Sequence, residues 1–101
     1  MKRIDFQPTN VILNGLTEEI LEQKYILPAI QRKVNVRFDL YTLDTPADHE
    51  CYQIGDAERE AFAAKLENVV AKYADKIRLN HTLGGMSWMD HHYTIIQRSK
   101  K

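Results

Sequence analysis

Residues 56–78 read DAEREAFAAKLENVVAKYADKIR. Phe62, Leu66, Val69, Val70, Tyr73 and Ile77 recur at spacings of three and four. On an α-helix they form one apolar stripe, with Ala63 beside it. Asp56 stands where an N-cap belongs, because its carboxylate can accept from the free amides of the first turn. Glu58 and Glu60 follow near the positive end of the helix dipole, and Lys72, Lys76 and Arg78 crowd the negative end. Six alanines favour helix intrinsically. A helix this long with one apolar face must lie on something, and the flanking chain has to supply that surface.

Downstream, the strand-like runs 77–83 and 86–97 flank Gly84-Gly85, which predicts a hairpin with a two-residue turn. If Leu83 faces Met86, then Ile77, Leu79, His81, Leu83 and Trp88 share a face. Tyr93 and Ile95 then fall on the other side, so a bulge near 89–91 is expected to return them to the core. Upstream, Val34, Val36, Phe38 and Leu40 alternate with Asn35, Arg37 and Asp39, the clearest strand in the chain, with Tyr41-Thr42-Leu43 extending it. Residues 44–55 read either as a long loop or as a loop leading into a short strand at 51–54.

Earlier still, Thr17 is a helix N-cap, with Glu18 and Glu19 in the first turn and Leu16 and Leu21 as a hydrophobic staple. Ile20, Leu27 and Ile30 face inward. Pro28 lies inside this pattern and predicts a kink or break near 26–27. Ile4 and Phe6 mark a first short strand, Gln7-Pro8-Thr9-Asn10 a turn, and Val11-Ile12-Leu13 a second short strand. The expected fold is one α+β domain over 1–101, two helices on one face of a mostly antiparallel sheet of four or five strands, with 98–101 a frayed basic tail.

No apolar run approaches the roughly 18 residues of a membrane span. The first residues, MKRIDFQPTN, lack the apolar core of a signal peptide. The one cysteine, Cys51, favours a reducing, cytoplasmic setting. Cys51 with nearby His49 has the residue types of a nucleophile and its base, but a lone loop thiol is the simpler reading.

The four histidines, His49, His81, His91 and His92, lack the spacings that make a zinc site legible, and no metal or other cofactor is expected. His91 and His92 are strand neighbours and must point to opposite faces. No Gly-framed serine, P-loop or dinucleotide fingerprint is present.

Net charge is zero, yet its distribution is uneven. Residues 39–60 hold seven acids against one base, Arg59, while residues 61–101 hold seven bases against three acids. Lys65, Lys72 and Lys76 recur at helical spacing, and Arg78 extends the row, as a phosphate-binding face requires. A pI of about 6.9 argues against a dedicated nucleic-acid binder. Trp88, Met89 and Tyr93 are residue types enriched at protein interfaces. Asp44, Asp48 and Glu50 sit on the expected loop, where recognition residues concentrate.

The order strand, helix, Val34-Asn35-Val36-Arg37-Phe38 strand, Tyr52-Gln53-Ile54-Gly55 turn and charged helix resembles the DinI-type small proteins that modulate recombinase filaments. The resemblance is one of pattern over most of the chain. The kinked first helix and the terminal hairpin depart from that family. It implies a partner that handles nucleic acid.

The reading that fits best is a small, non-catalytic cytoplasmic regulator or inhibitor, of the kind phages and mobile elements encode, that occupies a surface of a partner protein. Asp44, Asp48, Glu50, Trp88, Met89 and Tyr93 are its candidate contacts, the acids facing a basic surface. The alternative is a nucleic-acid-binding module using Lys65, Lys72, Lys76, Arg78 and the C-terminal hairpin. A small hydrolase ranks third.

Overall fold

The computed structural model of the chain describes residues 3–8, 10–43, 54, 56–84 and 88–98. Strands β1 (Arg3–Phe6), β2 (Asn35–Leu43), β3 (Ile77–Gly84) and β4 (Trp88–Gln97) form one sheet in the order β1-β2-β4-β3. β1 runs parallel to β2; the other two pairings are antiparallel. Helices α1 (Asn10–Gly15), α2 (Glu18–Ile20), α3 (Leu27–Arg32) and α4 (Asp56–Ala71) belong to the same α+β domain, with the helical layer packed on the sheet. The expected strand at 51–54 lies outside the described residues except for Ile54, which is buried.

α4 keeps the predicted register. Phe62, Leu66, Val69 and Val70 are buried, and Ala63 and Tyr73 pack against them. It ends earlier than the sequence pattern suggests. The amides of Lys72 and Tyr73 bond three residues back, to Val69 and Val70, which tightens the last turn. Ile77 is fully buried, but as the first residue of β3 rather than the last of the helix stripe.

Two expectations are corrected in the first third of the chain. Residues 11–13 are helical, within α1, because a contiguous apolar run has no period to separate strand from helix. The Leu16 amide closes this turn on the Leu13 carbonyl, and Leu13 and Leu16 are both buried. Pro28 does not break its helix. α2, a π-helical segment (Leu21–Ile26) and α3 run on without interruption. The Leu27 amide donates to the Glu22 carbonyl, five residues back. That wider turn relieves the crowding a proline ring imposes on the preceding α-turn. Thr17 caps the rod as expected, its Oγ1 accepting from the Ile20 amide at 3.1 Å. Lys33 ends it in the left-handed region at φ 56°, and the Val34 amide reaches back to the Ala29 carbonyl.

The hairpin register differs most from expectation. Leu83 pairs with His91, not Met86, and Gly84 with Asp90. The register is continuous along β4, with no bulge. An offset of five residues reverses facing as a bulge would, since side chains alternate with period two. Tyr93 and Ile95 therefore reach the core, beside Val36 and Phe38. The rings of Tyr25, Phe6, Phe38, Phe62 and Tyr93 contact in sequence across this layer, with centroids 5.0–6.0 Å apart.

Candidate functional site

The sheet has two unlike faces. The buried apolar residues of β2 and β4, namely Val36, Phe38, Leu40, Tyr93 and Ile95, share one face and lie in the core cluster. The opposite face carries Arg37 and Asp39 on β2 and Asp90, His92 and Thr94 on β4. Arg3 and Asp5 continue it on β1, and Arg78, Asn80 and Thr82 on β3.

On that polar face a charge ladder crosses three strands. Arg3 Nε lies 2.8 Å from Asp5 Oδ1, and Asp5 Oδ2 lies 3.7 Å from Arg37 Nη2. Arg37 then turns to Asp39: Nη2 donates to Oδ2 at 3.1 Å, and Nε sits 2.8 Å from Oδ1 without the alignment of a hydrogen bond. Asp39 Oδ1 is 2.5 Å from His92 Nδ1. Asp39 is buried at 8% exposure, so two nitrogen-bearing neighbours hold a carboxylate that would otherwise be costly to desolvate. The ends are more open: the Arg3 and Asp5 side chains are 47% and 43% exposed. Asp90 Oδ1 is buried with no hydrogen-bond partner among the described residues.

The core-side face holds His81 and His91. His81 stacks flat on Tyr93, centroids 4.3 Å apart, and its Nε2 lies 3.0 Å from His91 Nδ1. One nitrogen must donate and the other accept, so this bond requires at least one neutral ring. Burial pushes the His81 pKa down; the positive charges of Arg59 and His92 add to this, and Glu67 opposes it. His92 lies across the sheet from this pair, so His91 and His92 do point opposite ways. Thr82, not His81, pairs with His92, so His81 and His92 face opposite ways. Among the described residues, no three His, Cys, Asp or Glu side chains converge as metal ligands do.

The expected contact residues divide as follows. Asp44, Asp48 and Glu50 lie outside the described residues. Trp88 and Met89 open β4 and pair with Leu43 and Thr42. Tyr93 is a core residue at 2% exposure, and its hydroxyl accepts from Arg59 Nη1 at 3.0 Å. It is therefore not a surface anchor, because the register turns its ring under α4. The basic row is also divided. Lys65 Nζ donates to the Leu16 carbonyl at 2.9 Å, and Lys72 Nζ pairs with Glu22 at 3.1 Å. Lys76 and Arg78 are exposed.

The ladder was only half visible in the sequence. Arg37 and Asp39 alternate with apolar residues, which marks an outward face. Their meeting with His92 depends on a register between residues far apart in the chain. No described helix is long and apolar enough to cross a membrane. No protein-family model, curated protein or solved structure matches the chain, so the DinI-like element order gains no support from relatives.

Proposed function

We propose that this is a small, non-catalytic protein-binding domain, a regulator or inhibitor that works by occupying a surface of a partner protein. The observation that supports it is the alternating ladder Arg3, Asp5, Arg37, Asp39, His92 on the polar face of the sheet. Alternating signs suit a protein surface that itself carries both signs, set opposite in register. They suit a uniformly negative phosphate backbone poorly, because the carboxylates would repel it. The nucleic-acid alternative is weakened further because two of its four cations, Lys65 and the half-exposed Lys72, already bond to Leu16 and Glu22 of the same chain. The lone Cys51 fits a cytoplasmic role.

The test is affinity capture from the native host, with and without nuclease, using the parent and an Arg78→Glu/Thr82→Trp double variant. Both positions are exposed on β3 at the polar face, so folding should be unchanged by circular dichroism. A protein retained by the parent after nuclease and lost by the variant supports the reading. Recovery of nucleic acid alone, with a steep salt dependence, overturns it.

A further inference from the structure

We infer that the outer edge of β1 takes an extended peptide segment of a partner, one that places an aliphatic side chain between acidic residues. The inference rests on the protein-binding reading and names a second contact surface for it. β1 is the outermost strand of the described sheet, so no described strand takes up the main-chain groups on its outer edge. Such an edge is a template for an added strand.

Beside this edge, β1 and the helical rod enclose a slot of about 70 Å³, lined by Ile4, Phe6, Tyr25 and Pro28 and almost wholly apolar. That is about half the volume of an engineered cavity that holds benzene, so it suits a single aliphatic side chain rather than a drug-sized ligand. Ile4, which points to this side, is left 38% exposed. An exposed aliphatic residue at a sheet edge gains from being covered.

Charge then selects the occupant. Lys24 and Arg32 stand at the slot, both exposed, and neither has an ion-pair or hydrogen-bond partner among the described residues. The acid nearest in sequence on β1, Asp5, is already engaged by Arg3 and Arg37 on the opposite face. An incoming strand alternates its side chains, so an aliphatic residue entering the slot brings the residues two positions before and after it to the same face, where acids come within reach of these cations. Main-chain bonding to β1 supplies affinity, and the slot with its cations supplies selection.

The experiment uses the full chain, labelled for amide NMR, and a short synthetic peptide with a central leucine and an aspartate two positions to either side of it. A counterpart with lysine for every aspartate is the control. The expected result is saturable shifts confined to the amides of 3–6 and of the facing helix with the acidic peptide only. Lys24→Glu/Arg32→Glu should weaken that binding about tenfold, since it replaces two attractions by repulsions. Both side chains are exposed, so the variant should fold. Equal binding of the lysine peptide, absence of saturable shifts, or shifts that depend on protein concentration without peptide would overturn the inference, the last by making a second copy the occupant. The partner capture described above reads β3 and not β1. Failure here with capture by the parent intact overturns this inference alone, whereas recovery of nucleic acid alone by the parent overturns the broader reading.

Discussion

Lys65 donates from Nζ to the main-chain carbonyl of Leu16 at 2.9 Å, across 49 residues of chain. Leu16 lies between α1 and the Thr17 cap, where a carbonyl has left one helix and not entered the next. The bond therefore pins the start of the rod to α4. Asn68 with Glu18 and Lys72 with Glu22 repeat the stitch further along. Lys65→Met, which keeps the aliphatic stem and removes the donor, should cost about 1–2 kcal/mol, as loss of a charged hydrogen bond does. The urea midpoint should fall with an unchanged slope.

Leu66 tests the packing of the same helix. It is fully buried in the apolar stripe, between Phe62 and Val70 on neighbouring turns. Leu66→Asp should cost more than about 3 kcal/mol, because it desolvates a carboxylate with no partner. Leu66→Ala should cost about 2–5 kcal/mol through the cavity it leaves. Thermal melts that show Leu66→Asp as stable as the parent would mean the register of α4 is wrong.

The helix stripe and β2 were legible because each has a period of its own, 3.6 for one and two for the other. The hairpin was not, because two glycines accommodate a tight turn or part of a longer connection equally well. What decides between them is burial of Tyr93 and Ile95 beside Phe62 and Phe38, a tertiary effect that no local spacing carries. Pro28 shows the same limit. Its effect on the preceding turn was legible, but the π-helical answer depends on Leu21, Ile26 and Ala29 staying buried together. The candidate site divides in the same way: Arg37 and Asp39 are visible as an outward alternation, whereas His92 joins them only through strand register.

Lys33 offers a gain in stability. It is a non-glycine residue at φ 56°, where its Cβ crowds the backbone, and its side chain is exposed. Glycine relieves that crowding but enlarges the freedom of the unfolded chain. Relief of the crowding outweighs the added freedom at such a position, so Lys33→Gly should stabilise by about 0.5–1 kcal/mol. A rise in Tm of a few degrees is expected, and a fall would show that the Lys33 side chain contributes more than its strain costs.

The pH dependence follows from the joint between Glu22 and α4. Glu22 accepts from the Tyr73 hydroxyl and from Lys72. The Tyr73 hydrogen bond, then that of Lys72, holds the Glu22 pKa below its ordinary 4.5, and the same carboxylate holds the Tyr73 hydroxyl above its ordinary 10.0. Between those limits the folded state has the ionised acid and the neutral phenol that the bond needs. Below pH 4.5 the unfolded chain binds a proton at Glu22 more readily than the folded one, so stability falls with pH until the folded group titrates too. Above pH 10 the unfolded chain loses the Tyr73 proton first, and stability falls as pH rises. His81 adds to the acid limb earlier. Its folded pKa is depressed, so its contribution is complete above 6.5 and declines as pH falls below that value. Tyr73→Phe should therefore flatten the alkaline limb and shrink the loss below pH 4.5, leaving the step that begins near 6.5 in place. Urea titrations of parent and variant from about pH 3 to about pH 11 read this directly. An unchanged alkaline limb in Tyr73→Phe would show that the Glu22 bond does not couple this tyrosine to folding.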